Sequence, residues 1–125
     1  MPDPPQSQYL CPSDDLVENQ IREAEIRLDG RPVFLIVTRL GGRPRAWLNI
    51  CPHQGRNLNF APDKFLRDDQ GRLVCAAHGA VFELGGGRCV SGPCRGEQLQ
   101  AVALSEQGDS VYLNIQGTSI SSPGQ

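Results

Sequence analysis

Two short stretches hold both histidines of the chain and two of its five cysteines: Cys51-Pro52-His53-Gln54-Gly55 and Cys75-Ala76-Ala77-His78-Gly79. Each puts a thiol and an imidazole within two or three residues, so each can offer a metal one sulfur and one nitrogen donor. The N-terminus, Met1-Pro2-Asp3-Pro4-Pro5-Gln6, has no basic stretch and no apolar run, so it does not read as a secretory leader. Five cysteines in such a chain argue against a disulfide framework and for metal binding. A structural zinc ion accepts two thiolates and two imidazoles. A pair of sulfide-bridged irons does so too, one iron taking the thiolates and the other the imidazoles. Zinc fingers usually pair Cys with Cys and His with His in sequence, whereas both halves here mix the two, which favours the iron pair.

The elements that must position these loops read as short strands. Ala24, Ile26 and Leu28 alternate with Glu23, Glu25 and Arg27, the period of a half-buried strand. Asp29-Gly30 marks a hairpin turn, and Val33-Phe34-Leu35-Ile36-Val37 suits a buried strand. Gly41-Gly42 turns the chain into Ala46-Trp47-Leu48-Asn49-Ile50, which runs directly into the first loop. Leu73–Ala76 leads into the second loop, and Val81–Leu84, Gln98–Leu104 and Ser110–Ile115 complete the set. Turn signals at Asp69-Gln70-Gly71, Gly85-Gly86-Gly87 and Gln107-Gly108-Asp109 separate them. No segment keeps a helical period. The expectation is an all-β domain over residues 21–116, with the metal-binding part at about 49–95. Residues 1–20 read as an irregular arm, and the Ser/Gly/Pro-rich residues 117–125 as a flexible tail.

A length of 125 residues suits one domain. The net charge of −2 argues against nucleic acid, whose phosphates require a concentrated basic face. Aromatic residues make up 6% of the chain, too few to form a platform for stacking bases. No apolar run approaches a membrane span, and the expected location is cytoplasmic.

Cys51–His53 with Cys75–His78 resembles the Rieske signature, a C-x-H loop followed by a C-x-x-H loop. His78-Gly79-Ala80-Val81-Phe82 is similar to the family's sequence after its second loop. Ser91-Gly92-Pro93 resembles its third, proline-containing loop, which covers the cluster. The likeness spans roughly residues 22–115. It implies three stacked antiparallel sheets with a [2Fe–2S] cluster at one exposed tip, ligated by Cys51, His53, Cys75 and His78. Imidazole ligation leaves the oxidised cluster near zero formal charge, against about −2 for four thiolates, so it is easier to reduce. Gly55 and Gly79 would let backbone N–H groups approach the sulfurs.

Two departures refine the resemblance. Residues 54–74 form a spacer somewhat longer than usual, with the excess around Pro62–Gly71 expected as a surface excursion. Respiratory-chain members carry an extra cysteine in each loop, where this chain has Arg56 and Ala77. Those members also place a Ser and a Tyr after the second His, and here the positions are Ala80 and Phe82. Loss of those hydroxyls disfavours the reduced cluster, so the potential should lie near the low end of roughly −150 to +300 mV. That is the pattern of a Rieske-type ferredoxin.

With both histidines committed, the mononuclear iron site of a Rieske oxygenase cannot be built, and neither a dinucleotide fingerprint nor a haem motif occurs. The implied role is a one-electron carrier without chemistry of its own. It would dock transiently at its cluster tip with a donor, such as a flavin reductase, and an acceptor, such as a terminal oxygenase. A permanently bound electron-transfer subunit and a redox sensor are the alternatives, and a zinc protein is the remote one. Cys89 and Cys94 flank the proline loop, either as a disulfide or redox pair or as ordinary buried thiols. Cys11 is assigned no role.

Overall fold

The computed structural model describes residues 7–28, 30–50, 58–76, 79–92 and 95–114. Eleven strands among them form three antiparallel sheets. The central sheet orders β2 (Arg22–Leu28), β3 (Arg31–Leu40), β4 (Arg43–Leu48) and β9 (Ala101–Val102) as β2-β3-β4-β9. A terminal sheet, β1-β11-β10, joins β1 (Ser7–Pro12), β11 (Ser110–Asn114) and β10 (Leu104–Gln107). The third sheet runs β5 (Leu66–Arg67), β6 (Leu73–Val74), β7 (Val81–Phe82) and β8 (Cys89–Ser91) in chain order. The all-β expectation of three stacked sheets holds.

The central sheet is apolar on both faces because both are covered. Val33, Leu35 and Val37 of β3, with Ala46 and Leu48 of β4, pack with Val111 and Leu113 of the terminal sheet. The alternate residues Ile36 and Trp47 face the other way and pack with Leu73, Phe82 and Cys89 of the third sheet. An unbroken apolar run in β3 is therefore the sequence of a middle layer, with each parity of residue serving its own core.

Turn chemistry fixes the registers. Leu40 pairs with Arg43 across Gly41-Gly42, both at positive φ (59° and 78°), the geometry of a type I′ hairpin. Gln107 pairs with Ser110 across Gly108-Asp109, where the glycine alone has positive φ (60°), the type II′ pattern. Leu28 pairs with Arg31 around Asp29-Gly30, of which Asp29 lies outside the described residues.

Three segments differ from the sequence reading. Residues 7–12, expected in an irregular arm, form β1 and pair with β11 from Ser7↔Asn114 to Pro12↔Ser110. A register shift between Tyr9 and Cys11 interrupts any alternation, so the strand is specified by a partner about 100 residues away and not by a local period. Gln98–Leu104 is two strands: β9 adds to the central sheet and β10 to the terminal one, with the switch at Ala103. The Pro62–Gly71 excursion is mostly exposed, yet it contains β5, which pairs with β6 (Leu66↔Val74, Arg67↔Leu73).

Arg39 fastens the terminal sheet to the central one. Its guanidinium donates to the carbonyls of Leu16 (2.7 Å), Ser13 (3.0 Å) and Gly42 (2.9 Å) and to both carboxylate oxygens of Glu106 (2.7 and 3.2 Å). Arg39→Ala should cost about 2–4 kcal/mol, since several charge-assisted bonds are lost together. Arg39→Lys should recover only part, because an ammonium cannot reproduce the fork. The hydrogen bond from Arg39 holds the Glu106 carboxyl below its ordinary range. A depressed folded value makes this contribution complete above the unfolded carboxylate range, roughly pH 4.3. The contribution is lost as pH falls through the lower folded value. Urea midpoints measured across acid pH should therefore fall less steeply in Arg39→Ala than in the parent.

Candidate metal centre

Of the four expected ligands, Cys75 lies among the described residues, and Cys51, His53 and His78 lie outside them. The described residues on either side show how the chain brings the loops together. Leu73 pairs with Phe82 and Val74 with Val81. The ladder then continues one step further, the Cys75 N–H donating to the Ala80 carbonyl at 2.7 Å. The Gly79 N–H closes back on the Cys75 carbonyl at 2.9 Å, and Gly79 adopts φ +75° in open surroundings. The β6–β7 hairpin is thus closed beyond its ladder by Cys75, Gly79 and Ala80, with Cys75 at its neck.

The first segment leaves the end of β4 and returns at Leu58, and its neck is closed by a side chain. The Leu58 N–H donates to Asn49 Oδ1 at 2.8 Å. Leu58 is fully buried, and its carbonyl accepts from the Ala76 N–H at 3.1 Å. One residue therefore ties the neck of the first loop to the second.

A third approach completes the arrangement. Gly92, at φ +97°, sits so close to the second hairpin that a Cβ there would lie 2.8 Å from Ala80 Cα and 3.3 Å from Ala80 N. Only glycine permits both that φ and that contact. Gly92 is thus brought against Ala80, two residues after His78 in sequence. Pro93, Cys94, Arg56 and Ala77 lie outside the described residues. Cys89 is buried in β8, and its thiol donates to the Ser91 carbonyl at 3.2 Å.

The junction with the central sheet is set by another glycine. Gly87, at φ +73°, lies where a Cβ would fall 2.7 Å from Trp47 Nε1 and 2.9 Å from Trp47 Cδ1. The Gly85-Gly86-Gly87 turn can therefore fold over the buried indole. Arg45 lies over the same ring at 5.7 Å and donates to the Gly85 carbonyl at 2.6 Å. Trp47 is a packing residue that sets the third sheet on its base.

Cys11 is remote from these loops. It packs beside the terminal sheet's core, and burial, followed by the nearby Asp15 carboxylate, pushes its thiol above the ordinary range. It is a poor nucleophile and a poor ligand at neutral pH. Sequence reading missed Asn49, Gly87 and the knot at Leu58. Asn49 carries a faint signal, an amide at an otherwise apolar strand end just before a ligand loop.

The described parts fit a two-loop cluster. They provide two closed necks joined to each other, a buried cysteine at one of them, and a third loop held in contact by glycine. Among the described residues, from which three of the four expected ligands are absent, no group of three or more ligating side chains gathers. No helix among them is long and apolar enough to cross a membrane.

Comparison with known proteins agrees. A family model for the Rieske [2Fe-2S] domain matches residues 6–108. A search of curated protein sequences finds no match. Among solved structures, the carbazole-bound oxygenase and ferredoxin complex of carbazole 1,9a-dioxygenase aligns at TM-score 0.70 and 17% identity, covering 88% of this chain and 28% of that one. A 2-oxoquinoline 8-monooxygenase component aligns at 0.68 and 20%, over 93% of this chain and 27% of that one. The terminal oxygenase of carbazole 1,9a-dioxygenase from Nocardioides aromaticivorans IC177 aligns at 0.66 and 20%, over 96% and 32%. At such identities the likeness is one of fold, and this chain spans about a third or less of those chains. The tied loop necks, the three-sheet architecture and the family match together make the chain a member of the Rieske [2Fe-2S] domain family, whose cofactor is a Rieske-type cluster serving electron transfer.

Proposed function

We propose that this chain is a low-potential Rieske ferredoxin, a one-electron carrier that performs no bond chemistry itself. Cys51 and Cys75 would hold one iron, and His53 and His78 the other. The cluster supplies reversible one-electron chemistry, and the chain's own residues hold it at a tip where partners can reach it. The observation that carries the reading is the Leu58 knot. Its N–H bonds Asn49 and its carbonyl accepts from Ala76, which supports a reading in which the two Cys–His segments act together.

Two features support the subclass and the partners. Ala80 and Phe82 are both fully buried and carry no hydroxyl at the positions where respiratory members place Ser and Tyr, which favours a low potential. Two of the structural neighbours are oxygenase components, and a third is an oxygenase with its ferredoxin. An acceptor of the oxygenase class, fed through a reductase, is the matching role, in the cytoplasm. A permanently bound subunit of a larger oxidoreductase is the second reading, favoured by the exposed Phe60 and Leu66 of the spacer. Purification with a stable large partner would select it.

Anaerobic reductive titration tests the carrier role. Protein as isolated should take up one electron for every two irons and return it on reoxidation, with iron and acid-labile sulfide in equal amounts. Zinc in place of iron, with no electron uptake, would refute it.

A further inference from the structure

Asn49 is the side chain that stands between the base of the molecule and the first ligand segment. It is fully buried, two residues before Cys51, and its backbone N–H continues the central sheet by donating to the Phe34 carbonyl at 2.9 Å. Its amide works in two directions. Oδ1 accepts from the Leu58 N–H at 2.8 Å, across the neck of the loop. Nδ2 donates to Asn59 Oδ1 at 2.8 Å and to Glu23 Oε2 at 3.1 Å. A backbone N–H and a side-chain amide buried together need these partners, because an unmatched buried polar group is costly.

The network extends to the spacer. Glu23 lies on β2, and its own N–H donates to Asp63 Oδ1 at 2.7 Å, while the Asp63 N–H donates back to Glu23 Oε1 at 3.2 Å. Asp63 is held at φ +60° and also meets Arg22 at 3.6 Å. The Asn59 amide in turn donates to the Ala61 carbonyl at 3.0 Å. Residues 58–63 are thus laid against β2 through two carboxylates, those of Asp63 and Glu23, and the Glu23 carboxylate also orients the Asn49 amide.

We propose that Asn49 is a positioning residue for the first ligand segment. It clamps the neck at Leu58, Glu23 with Asp63 keeps the clamp oriented, and a cluster held by that segment would be retained longer for it. The proposal rests on the reading of Cys51 and His53 as ligands. Its consequence is that the lengthened spacer is coupled to the cluster through the Glu23 carboxylate. Partners of metal ligands commonly contribute 10- to 100-fold in metal retention, and a clamp on the loop itself should act on that scale.

The test uses cluster-loaded protein and two readouts, the electron paramagnetic resonance signal of the reduced cluster and the rate of iron release to a ferrous chelator. Asn49→Ala should release iron about 10- to 100-fold faster than the parent and shift the resonance. Glu23→Ala, which removes one of the amide's partners and leaves the neck bond, should speed release by a smaller factor. Arg39→Ala serves as the comparator, because it weakens the fold at the far end of the β3–β4 hairpin, and it should keep the parent's resonance and release rate. Parent-like resonance and release in Asn49→Ala would overturn the proposal, as would equally fast release in Arg39→Ala. Should Asn49→Ala fail to accumulate, the Glu23→Ala rate decides, and a parent-like value overturns the proposal. A parent protein that binds no cluster would instead overturn the ligand reading together with the proposal.

Discussion

Gly87→Ala should lower stability by about 2–5 kcal/mol. Two independent costs add. A non-glycine residue at φ +73° carries roughly 1–2 kcal/mol of backbone strain. The new Cβ would also lie 2.7 Å from the indole nitrogen of Trp47, a ring only 1% exposed and packed between two sheets. It cannot turn aside, and overpacking of that kind costs about 1–3 kcal/mol. Gly86→Ala is the built-in control, since a Cβ there meets nothing within 4 Å and its φ is ordinary. It should change stability by less than about 0.5 kcal/mol. Trp47 is the chain's single tryptophan, so its fluorescence reports this junction directly during urea unfolding. Equal midpoints for the two variants would show that the turn does not hold the third sheet to its base.

Cys75→Ala should abolish the cluster, whereas Cys89→Ala should leave it in place. The comparison is demanding because the two thiols are equally buried in the same core. Both are 1% exposed and both belong to the core between the central and third sheets, Cys75 just past the end of β6 and Cys89 in β8. If both were structural thiols, each truncation would cost about 1–2 kcal/mol and leave metal content unchanged. The difference is position, because Cys75 sits at the neck of the β6–β7 hairpin where its N–H and carbonyl both close the ligand tip. Loss of iron, sulfide and visible absorption in Cys75→Ala alone is the expected result. Equal iron in the two variants would remove Cys75 from the ligand set.

The fold was legible wherever local patterns carry it. Alternation in β2, the apolar run of β3 and the Gly-containing turns mark the strands and turns of the central hairpins, since period and turn chemistry are short-range signals. What depends on distant partners was not legible. β1 reads as an arm because Ser7–Pro12 has no clean alternation and is fixed by β11. The two-residue strands β5 and the three-residue β8 are too short for any period to show. The sheet switch at Ala103 is a tertiary event, since Val102 pairs with Ala46 while Leu104 pairs with Leu113.

The centre divides in the same way. Residue types and spacing are written in sequence, so the Cys–x–His and Cys–x–x–His pairs stand out unaided. The contacts that shape the described residues around them are single ones across long separations. Leu58 meets Ala76, Gly92 meets Ala80 and Gly87 meets Trp47. A glycine in a Gly-rich turn looks like ordinary loop composition until the neighbour that excludes a Cβ is seen. Asn49 is similar, a buried amide whose partners Glu23 and Leu58 lie 26 and 9 residues away.

The most direct test of the central claim is the reduction potential of the freshly purified protein, measured by film voltammetry across a pH series. The account predicts a single one-electron wave toward the low end of roughly −150 to +300 mV. It should fall at alkaline pH by about 59 mV per unit for each imidazole proton coupled to the electron, because ferric iron makes its bound imidazoles release a proton more readily than ferrous iron does. A potential near the top of the range would contradict the part assigned to Ala80 and Phe82. A potential independent of pH, even in strong alkali, would contradict ligation by His53 and His78.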